Sequence, residues 1–405
     1  MKPKICIVAP WAYPLFHPEN NGHFGGWEVR MALIARELAC RGNFIVNMVV
    51  GDHGQPHVEK LENIHFYSWR WREIWGIPLQ EKVDLTLENI WWRIRFPFRS
   101  QLEGGQVGNY CITPDMISVY DEIDADIYTV PGNSQFSGEL AFYCKQRRKK
   151  YVFLAGSDMD CYPELKTEPT KMDIYSVPHS LKTYAIENAT IHLVQNEWQS
   201  RTLKQVFDRE SQIIRNPIDL AKKYPRSKNP KSVLWVGKSD ERVKRPSQLF
   251  ELARRLPDVP FMMILNKGLP ETHELCLQEV RNIPNIELIE RVPFEEIERH
   301  YAAARLLVNT SVFEGFPNTF LQAAKYGVPI VATDVDPGAM LSYHHCGICC
   351  KGDFEKFVKS VERFMDDNEF YKQYSDTIEK YVRSYHDKDL VISQYEKAFN
   401  ELLEK

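Results

Sequence analysis

No apolar run in this sequence approaches the ~18 residues that a membrane-spanning helix needs, so no transmembrane span is expected. Neither sign of charge dominates. Lys and Arg number 51 against 55 Asp and Glu, and the net charge of −4 gives no reason to expect a nucleic acid or another polyanion as partner. The nine cysteines are an odd number without regular spacing, which argues against a disulfide framework and for a reducing cytoplasm. The cluster "HHCGICCK", residues 344–351, gathers His and Cys but lacks the distant partner pair of a structural zinc site, so packing is its expected role. No G-x-G-x-x-G follows the first strand, and there is no sequence repeat or low-complexity tract. The opening "MKPKICIVAP" imitates a signal peptide, with two lysines before a short apolar run. That run breaks at Pro10 with no small-residue cleavage site after it, and a buried first strand is the expectation.

What is present is a long alternation of strands and helices. At 405 residues two or three domains are expected, and 43% hydrophobic with 26% charged residues is enough apolar chain to fill their cores. Strand-like runs are "KICIVAP", "FIVNMVV", "DIYTVPG", "KYVFLAG", "TIHLVQN" and "SQIIRNP", then "SVLWVGK", "FMMILNKG", "IELIERV", "RLLVNTSV" and "VPIVATDV". They are short and rich in Val and Ile. Amphipathic stretches such as "GWEVRMALIARELACRG" separate them, the pattern of parallel sheets covered by helices. Residues 213–232, "IIRNPIDLAKKYPRSKNPKS", place three prolines and a basic cluster between the two series, and the domain boundary is expected there. The last segment sets Val391, Tyr395, Ala398, Phe399 and Leu402 at helical spacing, an amphipathic closing helix.

One βαβ unit looks like a site. After "RLLVNTSV" comes "FEGFPNTFLQAAKYG" and then "VPIVATDV". Pro317 and Asn318 suit a helix start and Gly327 its end. The N-terminus of that short helix points out of the C-terminal edge of the sheet, where ligands of open parallel sheets bind. Amides at Asn318, Thr319 and Phe320 would attract an anion. Glu314 and Gln322, whose side chain leans back toward the helix start, would converge on hydroxyls of the same ligand. The plainer alternative is a helix that only packs, with Glu314 solvated.

A second strand end adds charge. In "SVLWVGKSDERVKRPSQL", Lys238 and Lys244 stand at a C-terminal strand edge, and two ammonium groups with a helix N-terminus would neutralise a diphosphate without a metal. A solvated basic face is the plainer reading. Gly25 and Gly26 precede a helix and would let backbone approach a phosphate, although a bare Gly-Gly is a weak signal.

Taken together and in order, "GGWEVRMALIARELACRG", "LVQNEWQS", "IIRNPIDL", "VGKSDERVKRPSQL", "FEGFPNTFLQAAKYGVPIVATDVD" and "SQYEKAFNELL" make the chain resemble the family 4 retaining glycosyltransferases of the GT-B fold. The resemblance runs from about residue 4 to the C-terminus. It implies two Rossmann-like parallel-sheet domains facing across a cleft: an acceptor-binding domain over 1–217, a nucleotide-sugar-binding domain over 218–385, and a helix over 386–405 that crosses back to the first domain. It implies a sugar moved with retention from a UDP- or GDP-linked donor to the hydroxyl of a saccharide or lipid-linked acceptor, in polysaccharide or glycolipid biosynthesis, with no metal or other cofactor. By resemblance Lys238 and Lys244 hold the donor diphosphate and Gly26 approaches it. Glu314, in its turn with Gly315 and Phe316, lies by the donor sugar. Gln322 stands where a second acid commonly binds the ribose, and the loop of Arg291, Val292 and Pro293 lines the base.

Two departures stand out. Gln322 replaces an acid, keeping a hydrogen bond but losing its charge. After "KYVFLAG", Gly156, Ser157 and Asp158 occupy the place where a histidine is common, and Asp158 is the candidate for that acceptor contact. "SDMD" also imitates the metal-binding Asp-x-Asp of GT-A enzymes, but the pattern recurs at 124–126 and 334–336, and the lysine pair already supplies positive charge. Trp69, Trp71, Trp75, Trp91 and Trp92, with Arg93, Arg95 and Arg99, suit either an aromatic-rich core or a peripheral contact with the inner membrane face. Two other functions share these features. One is a GT-B-like sugar-nucleotide epimerase; the other is a nucleotide-sugar-binding protein without transferase activity.

Overall fold

Short Val- and Ile-rich runs form the inner strands of two sheets in a computed structural model of the protein, which describes residues 2–20, 22, 24–69, 114–173, 175, 177–268, 270–293 and 296–404. By its internal contacts the chain divides into two units, Met1–Pro217 with Ile392–Lys405, and Ile218–Val391.

The first unit is built on eight strands in the order β3-β4-β2-β1-β5-β6-β7-β8. These are β1 (Lys4–Val8), β2 (Ile45–Gly51), β3 (Val58–Leu61), β4 (Ile64–Trp69), β5 (Ile127–Pro131), β6 (Lys150–Leu154), β7 (Ile191–Val194) and β8 (Gln212–Ile213). All neighbours are parallel except β3 and β4. Ile5, Cys6, Ile7 and Val8 are all buried, because helices cover both faces of a parallel sheet and an alternating pattern would put polar groups into one of them. The order of connection reverses between β1 and β5. Loops on either side of such a reversal part company and leave a crevice at the C-terminal strand ends.

The sequence reading did not anticipate β3 and β4. Their antiparallel hairpin turns through Glu62 and Asn63, at φ 52° and 62°. Two left-handed residues are what a two-residue hairpin needs to match strand twist, and Asn tolerates that geometry far better than Glu. The charges of "VEKLEN" masked the strand; they suit an edge that must not recruit another strand. Trp69 closes β4 in the core, 5.5 Å from the Phe136 ring. For this residue that matches the aromatic-core reading rather than the membrane-facing one. Trp71, Trp75, Trp91, Trp92, Arg93, Arg95 and Arg99 lie outside the described residues.

The closing helix Lys388–Glu404 buries Val391, Ile392, Tyr395, Ala398, Phe399 and Leu402 along one stripe. Glu396 accepts from Arg41 Nη1 at 2.8 Å and Asn43 Nδ2 at 2.7 Å, and the buried Arg30 guanidinium donates to the Tyr395 hydroxyl at 2.6 Å. These bonds and the apolar stripe set the helix from Ile392 onward into the first unit.

The second unit holds β9 (Ser232–Lys238), β10 (Phe261–Asn266), β11 (Ile286–Glu290), β12 (Ala304–Asn309), β13 (Ile330–Ala332) and β14 (Gly347–Cys349) in the parallel order β11-β10-β9-β12-β13-β14. Its reversal falls between β9 and β12. In β14 a Cβ on Gly347 would lie 1.9 Å from the Ile330 carbonyl oxygen, so only glycine fits there. Cys346, Cys349 and Cys350 are all buried, the first two in one core cluster and Cys350 in another.

Glu139, in the helix Gln135–Arg147, is a buried carboxyl whose Oε1 accepts from Gln135 Nε2 at 2.7 Å. Burial pushes its pKa from 4.5 up to about 8. The folded state therefore holds this proton where the unfolded chain has released it, and stability falls as pH rises from about 4.5 to about 8. Glu139→Gln removes that loss. The variant should match wild type at pH 4 and exceed it by on the order of 3 kcal/mol at pH 8, read from urea midpoints of the first unit's transition.

Candidate functional site

The crevice between β9 and β12 gathers most of the chemistry that the sequence singles out in the second unit. Gly237 and Lys238 end β9. A Cβ at Gly237 would lie 2.5 Å from the Trp235 ring, so glycine lets that indole fold back over its own strand. The indole then donates from Nε1 to Thr310 Oγ1 at 2.9 Å, and Thr310 Oγ1 donates to the Lys244 carbonyl. Val312 N–H adds a bond to the Val243 carbonyl at 2.9 Å. The loop after β9 is thereby fastened to the loop after β12.

Arg245 tightens the same junction. It precedes the helix Pro246–Arg255 at φ 45°, in the left-handed region that disfavours a side chain by about 1 kcal/mol. Its guanidinium donates to the Thr310 carbonyl at 2.7 Å, the Ser311 carbonyl at 3.3 Å, Thr333 Oγ1 at 2.8 Å and the Asp334 carboxylate. One side chain thus ties the ends of β12 and β13 to the start of that helix. Sequence reasoning missed Arg245, because the signal is a backbone angle; only the basic residue directly before Pro246 hinted at it.

This clamp delivers Lys244 to Glu314. The Lys244 ammonium bonds Glu314 Oε1, which also accepts from Ser311 Oγ at 2.8 Å. Oε2 makes no hydrogen bond among the described residues. Lys238 is exposed at the β9 end with no side-chain partner among the described residues, and Lys267 after β10 and Arg291 after β11 are alike in both respects. The register pairs Lys238 with Asn266, and Leu265 with Glu290, so the three cations form a row across adjacent strand ends. Arg291 takes φ 55°, and Val292 is half-buried against the core beneath. Lys267 belongs to this row although the sequence reading did not single it out.

The helix after the Glu314 turn spans Asn318–Lys325. Phe320 N–H donates to the Pro317 carbonyl at 3.0 Å, so its amide is spent inside the first turn and the expected three-amide anion site loses that member. Asn318 and Thr319 remain half-buried at the helix start, as does Gly315 in the turn. Gln322 is half-buried, and its amide has no hydrogen-bond partner among the described residues. Phe316 is buried, with its ring 4.7 Å from that of His386. It anchors the turn rather than facing solvent.

In the first unit, Asp158 and Asp160 are both tied up. Asp158 Oδ1 accepts from Asn196 Nδ2 at 2.9 Å and Gln199 Nε2 at 2.8 Å; burial raises its pKa and those two bonds oppose the rise. Asp160 Oδ2 accepts the amides of Gly156 at 2.7 Å and Ser157 at 2.8 Å. It shapes the loop after β6. Gly25 N–H donates to Glu28 Oε2 at 2.8 Å, so the helix Gly26–Arg41 answers its own N-terminus with a carboxylate and the Gly25 amide is not open to a phosphate.

Residues 230–367 match the family model described as glycosyl transferases group 1. The lipopolysaccharide 1,6-galactosyltransferase of Salmonella typhimurium is 23% identical over 175 residues, 40% of this chain and 48% of that protein. The chain spans about half the length of the curated relatives it matches. Among solved structures, sucrose-phosphate synthase from Thermosynechococcus elongatus covers 99% of each chain at TM-score 0.73 and 16% identity. HepE of Anabaena, in complex with UDP and glucose, covers 98% of this chain and 99% of its own at TM-score 0.67 and 14% identity.

The Arg245 geometry makes a prediction about stability. Arg245→Ala keeps the left-handed backbone and loses the clamp, whereas Arg245→Gly loses the clamp but relieves the backbone. Both should melt below wild type in urea, with the glycine variant about 1 kcal/mol more stable than the alanine variant. Equal midpoints for the two would mean that the φ angle carries no strain. With its two parallel sheets, each reversing at one crevice, and its full-length structural neighbours, the chain has the GT-B fold.

Proposed function

We propose that the protein is a retaining glycosyltransferase that moves a sugar from a nucleotide-diphosphate donor to an acceptor hydroxyl, in the synthesis of a polysaccharide or glycolipid. The observation that carries this reading is the Lys244–Glu314 pair at the crevice of the second sheet, with Lys238 at the end of β9 lacking a side-chain partner among the described residues. An ammonium has three donors. Lys244 can keep Glu314 on one and offer the others to phosphate oxygens, while Glu314 Oε2 takes a hydroxyl of the donor sugar. Lys238 adds the second positive charge, and the Thr319 end of the short helix adds an amide. Gln322 takes the ribose, and Arg291 and Val292 line the base. The matching proteins support this reading by what they are named: one is a galactosyltransferase acting on lipopolysaccharide, and one was crystallised with UDP and glucose. Neither of these two proteins is named as an epimerase or as a protein that only binds.

The chemistry follows from where charge develops. As the anomeric C–O bond to phosphate breaks, its electron pair passes to the leaving diphosphate, and an oxocarbenium-like centre forms. Positive groups already in place around that diphosphate lower the barrier without reorganising. The acceptor oxygen attacks from the face the diphosphate is leaving, and its proton passes to a phosphate oxygen. The configuration is thereby retained without a protein nucleophile, unlike the paired carboxylates of glycosidases. Lys238 and Lys244 supply the charge that this step requires. Among the described residues no helix is long and apolar enough to cross a membrane. We place the enzyme in the cytoplasm, at the membrane face when its acceptor is lipid-linked.

A thermal-shift screen of UDP- and GDP-sugars identifies the donor, and NMR of the product reports its anomeric configuration. Inversion would discard the mechanism. Lys244→Ala should lower kcat/KM by about 2–4 kcal/mol, roughly 30- to 1000-fold; wild-type kcat/KM would remove Lys244 from the site. Gln322→Glu should tighten the free nucleoside diphosphate about fivefold, through about 1 kcal/mol of charge assistance to a ribose hydroxyl. Titration calorimetry with wild type, Gln322→Glu and Gln322→Ala decides, and equal affinities across the three would place Gln322 away from the ribose.

A further inference from the structure

The row of cations in the second unit is spread over three strand ends. Lys238 ends β9, Lys267 follows β10 and Arg291 follows β11, and none has a side-chain partner among the described residues. Each is rooted in its own loop, and like charges on adjacent strands repel one another. For the row to act as one site, its three loops must be fastened beneath it.

Ser239 makes the first fastening. It directly follows Lys238 and is fully buried. Its N–H donates to the Asn266 carbonyl at 3.0 Å, and its Oγ accepts the Gly268 N–H at 2.8 Å. Gly268 directly follows Lys267. A Cβ there would lie 2.6 Å from the Ser239 carbonyl oxygen, so the two loops meet backbone to backbone and only glycine permits it. His273 makes the second fastening. It lies half-buried in the helix Pro270–Val280, with Nδ1 3.2 Å from Ser239 Oγ. Its other nitrogen, Nε2, is 3.6 Å from Glu290 Oε2. Glu290 ends β11 and directly precedes Arg291.

Donors and acceptors assign the protons. Ser239 Oγ already accepts from Gly268, so its own proton points to His273 Nδ1. A neutral imidazole carries one ring proton, which then sits on Nε2, on the side of Glu290. At 3.6 Å that contact is too long for a hydrogen bond, and the carboxylate acts by charge alone. Serine, histidine and glutamate in this order imitate a nucleophilic triad. Ser239 has no exposed surface, however, and its Oγ is held between an amide and the imidazole, so no substrate carbon can reach it. What the trio does share is sequence position. Ser239, Gly268 and Glu290 are each the immediate neighbour of one cation in the row.

We propose that His273 is a positioning residue which, through Ser239 and Glu290, holds Lys238, Lys267 and Arg291 in register so that the row meets a diphosphate as one site. This rests on the nucleotide-diphosphate reading and deepens it, by naming what sets the spacing of the cations. His273 acts through its neighbours and not on the ligand.

The test is titration calorimetry of the full-length protein at low salt, with inorganic pyrophosphate, UDP, GDP, uridine and guanosine. Wild type should bind pyrophosphate, and should bind its preferred nucleoside diphosphate more tightly than the nucleoside. His273→Ala should weaken pyrophosphate and the diphosphate about tenfold, the scale of one hydrogen bond to a charged group. Nucleoside affinity should not change, a selectivity that general destabilisation would not produce. His273→Asn, whose Oδ1 can accept the Ser239 proton, should recover most of the loss. Ser239→Ala should lose as much as His273→Ala, and the double variant no more than either alone. If Ser239→Ala does not fold, His273→Ala and His273→Asn carry the comparison. Wild-type pyrophosphate affinity in His273→Ala, equal losses for nucleoside and diphosphate, additive losses in the double variant, or no pyrophosphate binding by wild type would each overturn the assignment. Pyrophosphate bound with this dependence on His273, but with neither UDP nor GDP bound, would instead sink the donor reading and leave His273 its role.

Discussion

The Lys244–Glu314 ion pair is the contact on which the second unit's site depends. It forms between a loop after β9 and a loop after β12, two strands adjacent in the sheet but far apart along the chain. Neither loop would hold its position alone. The Trp235–Thr310–Lys244 relay and the four acceptors gathered by Arg245 fix the loops to each other, so that ammonium and carboxylate meet before any ligand arrives. A half-exposed ion pair contributes little to stability in its own right. Its value here is placement: in the proposed transfer, charge already fixed in position would meet the leaving diphosphate without reorganising.

The two units repeat one topology and use its crevice differently. In the second, cations line the strand ends and the carboxylate is neutralised by a lysine. In the first, the helix after β1 caps itself with Glu28, carboxylates are braced by amides, and the Trp27 indole covers Gly132 and Gly156. One edge presents cations, and the other presents carboxylates beside an indole. The same reversal of strand order serves both, with the side chains at the strand ends deciding what is held.

Much of this was legible in the chain itself. Parallel strands announce themselves as unbroken Val/Ile runs, and a Gly/Pro turn opening a helix after such a run marks the ligand edge, so Lys238, Lys244 and Glu314 stood out together. Features fixed by long-range packing did not. Nothing in "KRP" reports that Arg245 adopts a left-handed angle, since its guanidinium is held by the Thr310 carbonyl just after β12 and the Thr333 hydroxyl just after β13. Trp27 stood beside a glycine pair that drew attention to phosphate, while the glycines that matter for its ring lie more than a hundred residues later. The β3–β4 hairpin hid behind edge charges, and the Phe320 amide was lost to a bond with the Pro317 carbonyl inside the first helical turn.

The most direct test of the central claim is how affinity grows with phosphate. Titration calorimetry of the nucleoside, monophosphate and diphosphate of the preferred base, uracil or guanine, measures what the cationic crevice contributes. The account predicts that the diphosphate binds at least about a hundredfold more tightly than the nucleoside, with the advantage shrinking as salt is raised. Equal affinities for the three, unchanged by salt, would contradict it.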